Sequence, residues 1–394
     1  MTRLYEKSHP WLTFKVDFAK ASNYLWLLLG EAQSKCRHIE GVPLQPETAA
    51  KLLQLYLVKG ARASAAIEGN TLSEEQALLL ASGEDLDLPP SQEYLQNELD
   101  NIFGATNQLV HDIAESGPAE ITTTMIQDFN RRILKNLEVD PGTVPGEFRL
   151  GSVAVGPYVG VPAEDCEYLV ERLCEWLSGP DFHPPAGYEE DMNVVYGVLK
   201  AIMAHLYLAW IHPFGDGNGR TARLMEVQIL VSVGVPQPAA HLLSNYYNET
   251  RSEYYRQLDK SSKVDDGHIT FATYAVRGFV EQLRSQLLHI REQQWNGAWI
   301  NHVHAVLHKE KGPTGKRRRD LVLELSKTEQ IVPKGQIPNL SLELAQAYLG
   351  KTAKTLTRDL NFLVNKDLVQ RVEGQGFRAR SEKIRAFLPW KATP

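Results

Sequence analysis

The run His212-Pro-Phe214-Gly-Asp216-Gly217-Asn218-Gly219-Arg220-Thr-Ala-Arg223 lies between a long apolar segment, Glu189 to Ile211, and a second helical segment, Arg220 to Val233. Its reading decides the fold. The apolar residues of 189–211 are spread around the whole helical wheel, so that helix is expected to be buried on nearly all sides. Gly217 and Gly219 let the backbone turn tightly with its amides facing one concavity. That concavity overlies a helix N-terminus, where unpaired amides and the dipole attract anions. Arg220 and Arg223 are three apart, share a helix face and can both reach phosphate oxygens. Asp216 supplies a hard oxygen ligand suited to a Mg²⁺ ion that bridges phosphates. His212, at the end of the apolar helix, is placed to take a proton at neutral pH. Alone, such a histidine is usually structural and such a glycine loop is usually a turn. Together the residues form a phosphate cradle, a metal ligand and a general base, which points to phosphoryl or nucleotidyl transfer.

Around this loop most of the chain reads as helix. An Ala- and Leu-rich segment from Glu47 to Glu68 is stopped by Gly69 and Asn70. Further helices are expected over Tyr94 to Ile113, Thr122 to Leu134, Ala163 to Leu177, His241 to Lys260 and Ile269 to Gln293. Pro162 opens the segment at 163, with Glu164 and Asp165 in its first turn where the dipole favours acid. Residues 146–158, glycine-punctuated with β-branched alternation, read as a short hairpin. From Lys309 to Arg319 the chain is basic and rich in glycine and proline, and reads as a linker. Beyond it come two short helices, Ser341 to Tyr348 and Thr352 to Asn365, and a hairpin over Val369 to Arg380. Helix, turn, helix and wing in that order suggest a winged helix-turn-helix.

Composition narrows the class. At 394 residues the chain has room for about two to three domains. A hydrophobic share of 43% with 23% charged residues is ordinary for a globular protein and excludes wholesale disorder. The net charge of −6 argues against a surface that binds nucleic acid throughout, while leaving room for a local basic patch. Cys36, Cys166 and Cys174 form no CxxC pair and read as reduced thiols. Asp17 and Lys20 precede the short apolar run Tyr24 to Leu29, so no signal peptide or membrane span is expected, and the protein is expected to be cytoplasmic.

HPFGDGNGRTAR resembles the Fic family signature, H-x-F-x-[DE]-G-N-G-R-x-x-R, at every defined position. The resemblance covers about Glu47 to Gln293 and implies a Fic helical core with a short β-hairpin flap. It implies a protein adenylyltransferase: a base deprotonates a target hydroxyl, which attacks the α-phosphate of ATP, and pyrophosphate leaves. On that resemblance His212 is the base and Asp216 holds Mg²⁺. Gly217, Asn218 and Gly219 would form the anion hole, and Arg220 and Arg223 would bind the β- and γ-phosphates. Gly-Glu-Phe-Arg149 followed by Val153-Ala-Val155-Gly156 looks like the flap that pins the target by strand addition, and Val153 and Gly156 count with the ATP-binding positions. Tyr254, in Tyr254-Tyr255-Arg-Gln-Leu258, resembles the segment beside the adenine ring, although Ser262 stands where some relatives carry Asn. Doc-type relatives, which transfer phosphate, typically carry Lys where this chain has Gly219; glycine there favours nucleotidyl transfer.

Ser64-Ala-Ala-Ile-Glu68-Gly69 matches the family's inhibitory motif [ST]-x-x-x-E-[GN], amino-terminal to the core. A carboxylate in a last helical turn faces the negative end of the dipole. By resemblance Glu68 pairs with Arg223, and Ser64, one turn back, helps fix the helix. The expected organisation is a helical region over 1–112 with the motif at 64–70, a Fic core over 113–298, a linker over 299–320 and a winged-helix domain over 321–394. The expected partner is a target protein bearing a Ser, Thr or Tyr hydroxyl; a homodimer and DNA stay open, and no membrane is involved. Lys351, Lys354, Thr355, Arg358, Arg371, Arg378 and Arg380 are placed for phosphate and groove contacts, against Glu343, Asp359, Asp367 and Glu373. Two alternatives remain: a nucleotide-sensing DNA-binding regulator built on the Fic core, and a Fic enzyme moving another phosphate-containing group.

Overall fold

The structure, a computed structural model, describes residues 3–156 and 158–385. The chain forms two compact units, one running to Leu287 and one starting at Leu288. The first contains α1 Tyr5–Ser8, α2 Asn23–Glu40, α3 Pro46–Ile67, α4 Glu74–Ala81, α5 Glu93–Ser116 and α6 Thr123–Ile133. After a two-stranded antiparallel hairpin, β1 Ala154–Val155 and β2 Tyr158–Val159, come α7 Cys166–Leu177, α8 Glu189–Ile211 and α9 Asn218–Ser232. Then follow α10 Gln237–Ala240, α11 Leu242–Glu249 and α12 Arg251–Ser261. Helix α13, Gly267–Val306, starts in the first unit and ends in the second. The second unit continues with α14 Gly312–Ser326, α15 Leu342–Tyr348, α16 Ala353–Asn365 and the hairpin β3 Val369–Val372 with β4 Gly376–Ala379. The chain is mainly α, as its sequence implies.

Helix α8 forms the middle of the first unit, packed against α9. Leu199, Ile202, Leu206 and Leu208 have no exposed surface, and burying each contributes about 2 kcal/mol. By length and composition α8 alone among the described helices could cross a membrane, yet it is mostly buried within the protein. Helix α3 starts with Pro46 at its first position and Glu47 in its first turn, both favourable there. It approaches α11 so closely that a Cβ on Gly60 would collide with the His241 side chain. That contact lies one turn before Ser64, which sits in the last turn of α3, the turn that Glu68 caps. Thr122 caps α6 by accepting from the Met125 amide at 3.2 Å, and Ser73 with Gln76 forms a capping box on α4.

Several boundaries differ from the sequence reading. The helix expected over 241–260 is broken at Thr250, whose hydroxyl donates to Tyr246 O at 2.7 Å and lies 2.6 Å from the Tyr274 hydroxyl. Of the expected hairpin over 146–158, only Ala154–Val155 is strand before the turn; Pro157 lies outside the described residues. The stretch expected as a linker is helical from Gly312, because Pro313 suits a first helical turn and Leu321, Val322 and Leu325 reach a core. Its arginines are not solvated: Arg317 and Arg318 bind the buried carboxylate of Asp359 at 2.8 and 2.9 Å. The expected division at 112/113 falls inside the first unit, and the two units part at Leu287/Leu288 within α13. Helices α2 and α4 have no counterpart in the sequence reading. Residues 386–394 of the expected carboxy-terminal domain lie outside the described residues.

Candidate functional site

Residues 212–223 join α8 to α9, and the loop is braced from several sides. His212 ends α8 in the left-handed conformation, φ 52°. Its Nδ1 lies 3.3 Å from Ala209 O. A carbonyl only accepts, so Nδ1 carries the proton and Nε2 the lone pair. Burial lowers the pKa of His212 to about 4, with Arg149 acting in the same direction against the raising effects of Ala209 O, Glu68 and Asp216. At pH 7 the ring is neutral and ready to accept a proton at Nε2.

Arg149 holds the histidine's backbone. Its Nε donates to His212 O at 2.7 Å, Nη1 donates to Gly151 O at 2.7 Å, Nη2 donates to Val161 O, and its amide donates to Pro213 O at 2.9 Å. Sequence reasoning placed Arg149 in the flap without giving it this work. Asn218 braces the loop from within: Oδ1 accepts from Phe214 N and Nδ2 donates to Phe214 O, both at 2.9 Å. The Asn218 side chain is thus spent on the loop, and what the residue offers a ligand is backbone. From α6, Asn130 Nδ2 donates to Asp216 O at 2.9 Å, while its Oδ1 accepts from Gly146 N at 2.9 Å. Asn130 carried no signal in the sequence.

The two arginines are held by different acids. Arg220 Nη1 pairs with Glu98 of α5, and Nη2 lies 3.1 Å from Asp216 Oδ1. Glu98 in turn accepts from Asn70 Nδ2 at 2.9 Å, so the residue two positions after Glu68 also anchors the partner of Arg220. Arg223, 2% exposed, donates Nε to Ser64 Oγ and Nη2 to Ser64 O, both at 2.9 Å. Its Nη2 also lies 2.6 Å from Glu68 Oε1. Burial works to raise the Glu68 pKa, but Arg223, with help from Arg220 and His212, holds it below the usual carboxylate value. The glutamate is charged at neutral pH. Its carboxylate hangs over the first turn of α9, where a Cβ on Gly219 would collide with Oε1.

Two buried donors here, Arg220 Nε and Arg223 Nη1, have no hydrogen-bond partner. Orphaned guanidinium donors beside a helix N-terminus fit an anion. The Asp216 side chain is 44% exposed, and a single carboxylate suits Mg²⁺, which takes its other ligands from water and substrate phosphates. Among the described residues no cluster of three or more His, Cys, Asp or Glu could hold a metal without such help.

The flap lies beside the histidine. Val153 O accepts from Gly160 N at 2.9 Å, and Gly156 turns the hairpin at φ 56°. Tyr158 fastens it by donating its hydroxyl to Trp210 O. The outer side of β2 is covered, since His9 Nε2 lies 3.0 Å from Val159 O. Tyr254 departs from the sequence expectation. It is 2% exposed, with its hydroxyl 2.8 Å from His205 Nε2 and its ring stacked on Tyr247. Tyr255, 39% exposed, is the member of the pair at the surface, with its hydroxyl 3.4 Å from Ile67 O.

Residues 120–230 match the sequence model of the Fic/DOC family. The chain is 33% identical over 204 residues to a protein adenylyltransferase fic-1 of Caenorhabditis briggsae, a match covering 51% of this chain and 36% of that protein. It is 34% identical over 146 residues to a protein adenylyltransferase Fic of Drosophila grimshawi, covering 37% and 26%. The chain thus spans between about a quarter and about a third of the length of these curated relatives. Among solved structures, a Fic family protein from Desulfovibrio desulfuricans superposes with a TM-score of 0.54 at 20% identity, covering 91% of this chain and 96% of that one. Residues 134–508 of Fic-1 from Caenorhabditis elegans superpose with a TM-score of 0.52 at 23% identity, covering 68% and 73%. These two likenesses establish the fold.

Proposed function

We propose, on the match of residues 120–230 to the Fic/DOC family, that the protein is an autoinhibited protein adenylyltransferase, moving AMP from ATP to a Ser, Thr or Tyr hydroxyl of a target protein with release of pyrophosphate. The observation that supports this reading is the neutral His212, its Nδ1 held by Ala209 O, at the start of the loop that opens α9 with Arg220 and Arg223. In this scheme Nε2 takes the proton from the target hydroxyl as its oxygen attacks the α-phosphorus, and the bond to pyrophosphate breaks. The amides of residues 217–219 and the guanidinium groups of Arg220 and Arg223 hold the phosphates. Asp216 is the ligand for Mg²⁺, which when bound offsets the charge of the triphosphate. Val153, Gly156 and the flap hold the target segment and the nucleotide beside His212. At the base-binding side, the exposure of Tyr255 favours it over Tyr254.

Glu68 is the brake in this reading. While it pairs with Arg223, that arginine is not free for the γ-phosphate, and the α-phosphate is turned out of line. The test is a labelled transfer assay: Glu68→Gly protein with α-labelled ATP and Mg²⁺ in a cell lysate, followed by mass spectrometry. Labelled protein bearing AMP is expected. His212→Ala in the same background should lose transfer yet keep ATP binding. Transfer at the Glu68→Gly level by that double variant would refute the assignment of the base.

A further inference from the structure

We propose that the second unit is a binding surface for duplex DNA, engaged through phosphates by α16 and the β3–β4 hairpin. Charge in this chain is segregated. From Leu288 onward there are 19 Lys and Arg against 10 Asp and Glu, a net of +9, although the whole chain carries −6. The residues up to Leu287 therefore carry −15, and the mild overall charge conceals a strongly basic unit.

The structure sorts these cations into two groups. One is consumed internally: Arg317 and Arg318 by Asp359, Arg318 also by Glu310, Arg380 and Lys383 by Asp367, and Lys327 by Glu324. The other faces outward. Lys351, Lys354 and Arg358 are exposed and have no carboxylate partner among the described residues. Arg371, Arg378 and Lys334 meet only neutral groups, Asn361, Gln370 and Thr357. Asp359, whose charge in the sequence offsets one cation of α16, is 1% exposed and is turned to Arg317 and Arg318 on the inner side.

Helix α16 is accordingly two-sided. Leu356, Asp359, Leu360 and Leu363 face the core, whereas Lys354, Arg358, Asn361 and Asn365 recur at spacings of four, three and four on the outer side. The bond from Arg371 to Asn361 joins the hairpin to that face, so the cations form one surface. Glu373 in the hairpin turn and Glu343 on α15 are the nearby carboxylates for which no ion pair is seen among the described residues. A helix of 13 residues is about 20 Å long, and its width suits the major groove, where amide side chains can read base edges. Regularly spaced basic and amide groups match a phosphate-lined duplex, and the first helix α15 lies one turn upstream at Gly350.

The test uses the full chain with a fluorescent duplex of about 25 base pairs of mixed sequence, long enough to seat the ~20 Å helix α16 well away from the duplex ends, followed by anisotropy across salt. Contacts to about five phosphates should give a slope near −4.5 in log K against log salt, a loss of several hundred-fold between 50 and 200 mM. The triple variant Lys351→Glu, Lys354→Glu, Arg358→Glu should bind at least ~30-fold more weakly at low salt. Since all three side chains are exposed, its circular dichroism and its transfer activity in the Glu68→Gly background should not change. No binding at 50 mM salt, or equal binding by the triple variant, would overturn the proposal. Tighter capture of a polyglutamate peptide than of duplex would make the partner an acidic protein and overturn it as well. His212→Ala should bind DNA like the wild type, so this outcome is separable from the adenylyltransferase reading.

Discussion

Replacing Glu68 by glycine should raise auto-modification about 10- to 100-fold. The range comes from the pair itself: Glu68 Oε1 and Arg223 Nη2 lie 2.6 Å apart, and a hydrogen bond between charged groups contributes about 1.5–3 kcal/mol. Each 1.36 kcal/mol is a factor of about ten in rate, and the Glu68 side chain is 32% exposed, so the lower half of the range deserves more weight. Helix α3 is not expected to leave, because Gly60 locks it against His241 and Ala61, Ala63, Ala65 and Ile67 are buried. Release is then a matter of the last turn and one side chain. Glu68→Gln keeps the shape and one hydrogen bond without the charge, and should fall between glycine and wild type. Arg223→Ala removes the pairing together with the phosphate contact, and should stay flat or decline. The assay is incorporation from α-labelled ATP into the protein itself, with melting temperature as the control for folding. Equal auto-modification by wild type, Glu68→Gly and Arg223→Ala would refute the inhibitory role of Glu68. Arg223→Ala rising as far as Glu68→Gly would refute the role of Arg223 in binding phosphate.

Three more outcomes are expected. Asp216→Ala should lose the Mg²⁺-dependent transfer; an unchanged metal titration would remove Asp216 from the metal site. Transfer by Glu68→Gly should stay level from about pH 5.5 to 8, because His212, lowered to about 4, is neutral throughout that window and gains its proton only as pH falls towards that value. Loss of Glu68 removes a raising influence and leaves this sign unchanged, so a decline centred near 6.5 would show an exposed, ordinary histidine. Glu98→Gln in the same background should raise KM for ATP about tenfold with kcat less affected, through misplacement of Arg220, and should lower stability by about 1–3 kcal/mol; an unchanged KM would confine Glu98 to a structural role.

What the sequence made legible was what it kept together. The segment 212–223 holds within twelve residues every side chain the motif points to, and in the structure they line one loop at the start of α9. The supports of that loop come from far away: Asn130 reaches Asp216 across 86 positions, Arg149 reaches His212 across 63 and Glu98 reaches Arg220 across 122. Each is a single polar residue within a helical or hairpin segment, and local spacing carries no trace of such a partner. The same holds for Glu68 and Arg223, 155 positions apart, which were linked through a family resemblance and not through periodicity. At Tyr254 and Tyr255 adjacency was the obstacle, since neighbours on a helix point about 100° apart and composition cannot say which is buried. The basic stretch at 309–319 failed for a related reason: its arginines look solvated until the buried Asp359, some 40 residues on, is seen to receive them.

Gly219 ties these strands together. The family resemblance uses this position to separate nucleotidyl transfer from phosphate transfer, with glycine on one side and lysine on the other. In the structure the space a side chain would need at 219 is occupied by Glu68 Oε1, with Arg223 Nη1 3.0 Å from where its Cβ would be. A side chain there would push the Glu68 carboxylate aside and crowd the arginine, whereas glycine leaves the Glu68–Arg223 pair undisturbed. On the proposed reading the identity of one residue would bear on two properties at once: what can be transferred, if a triphosphate takes the room above the first turn of α9, and whether transfer can be held back, since the Glu68 carboxylate uses that same room. On the function proposed above, nucleotide and glutamate would compete for one volume, and a brake of this kind would act on the phosphate end of the substrate while the proton-accepting side of His212 stays in place.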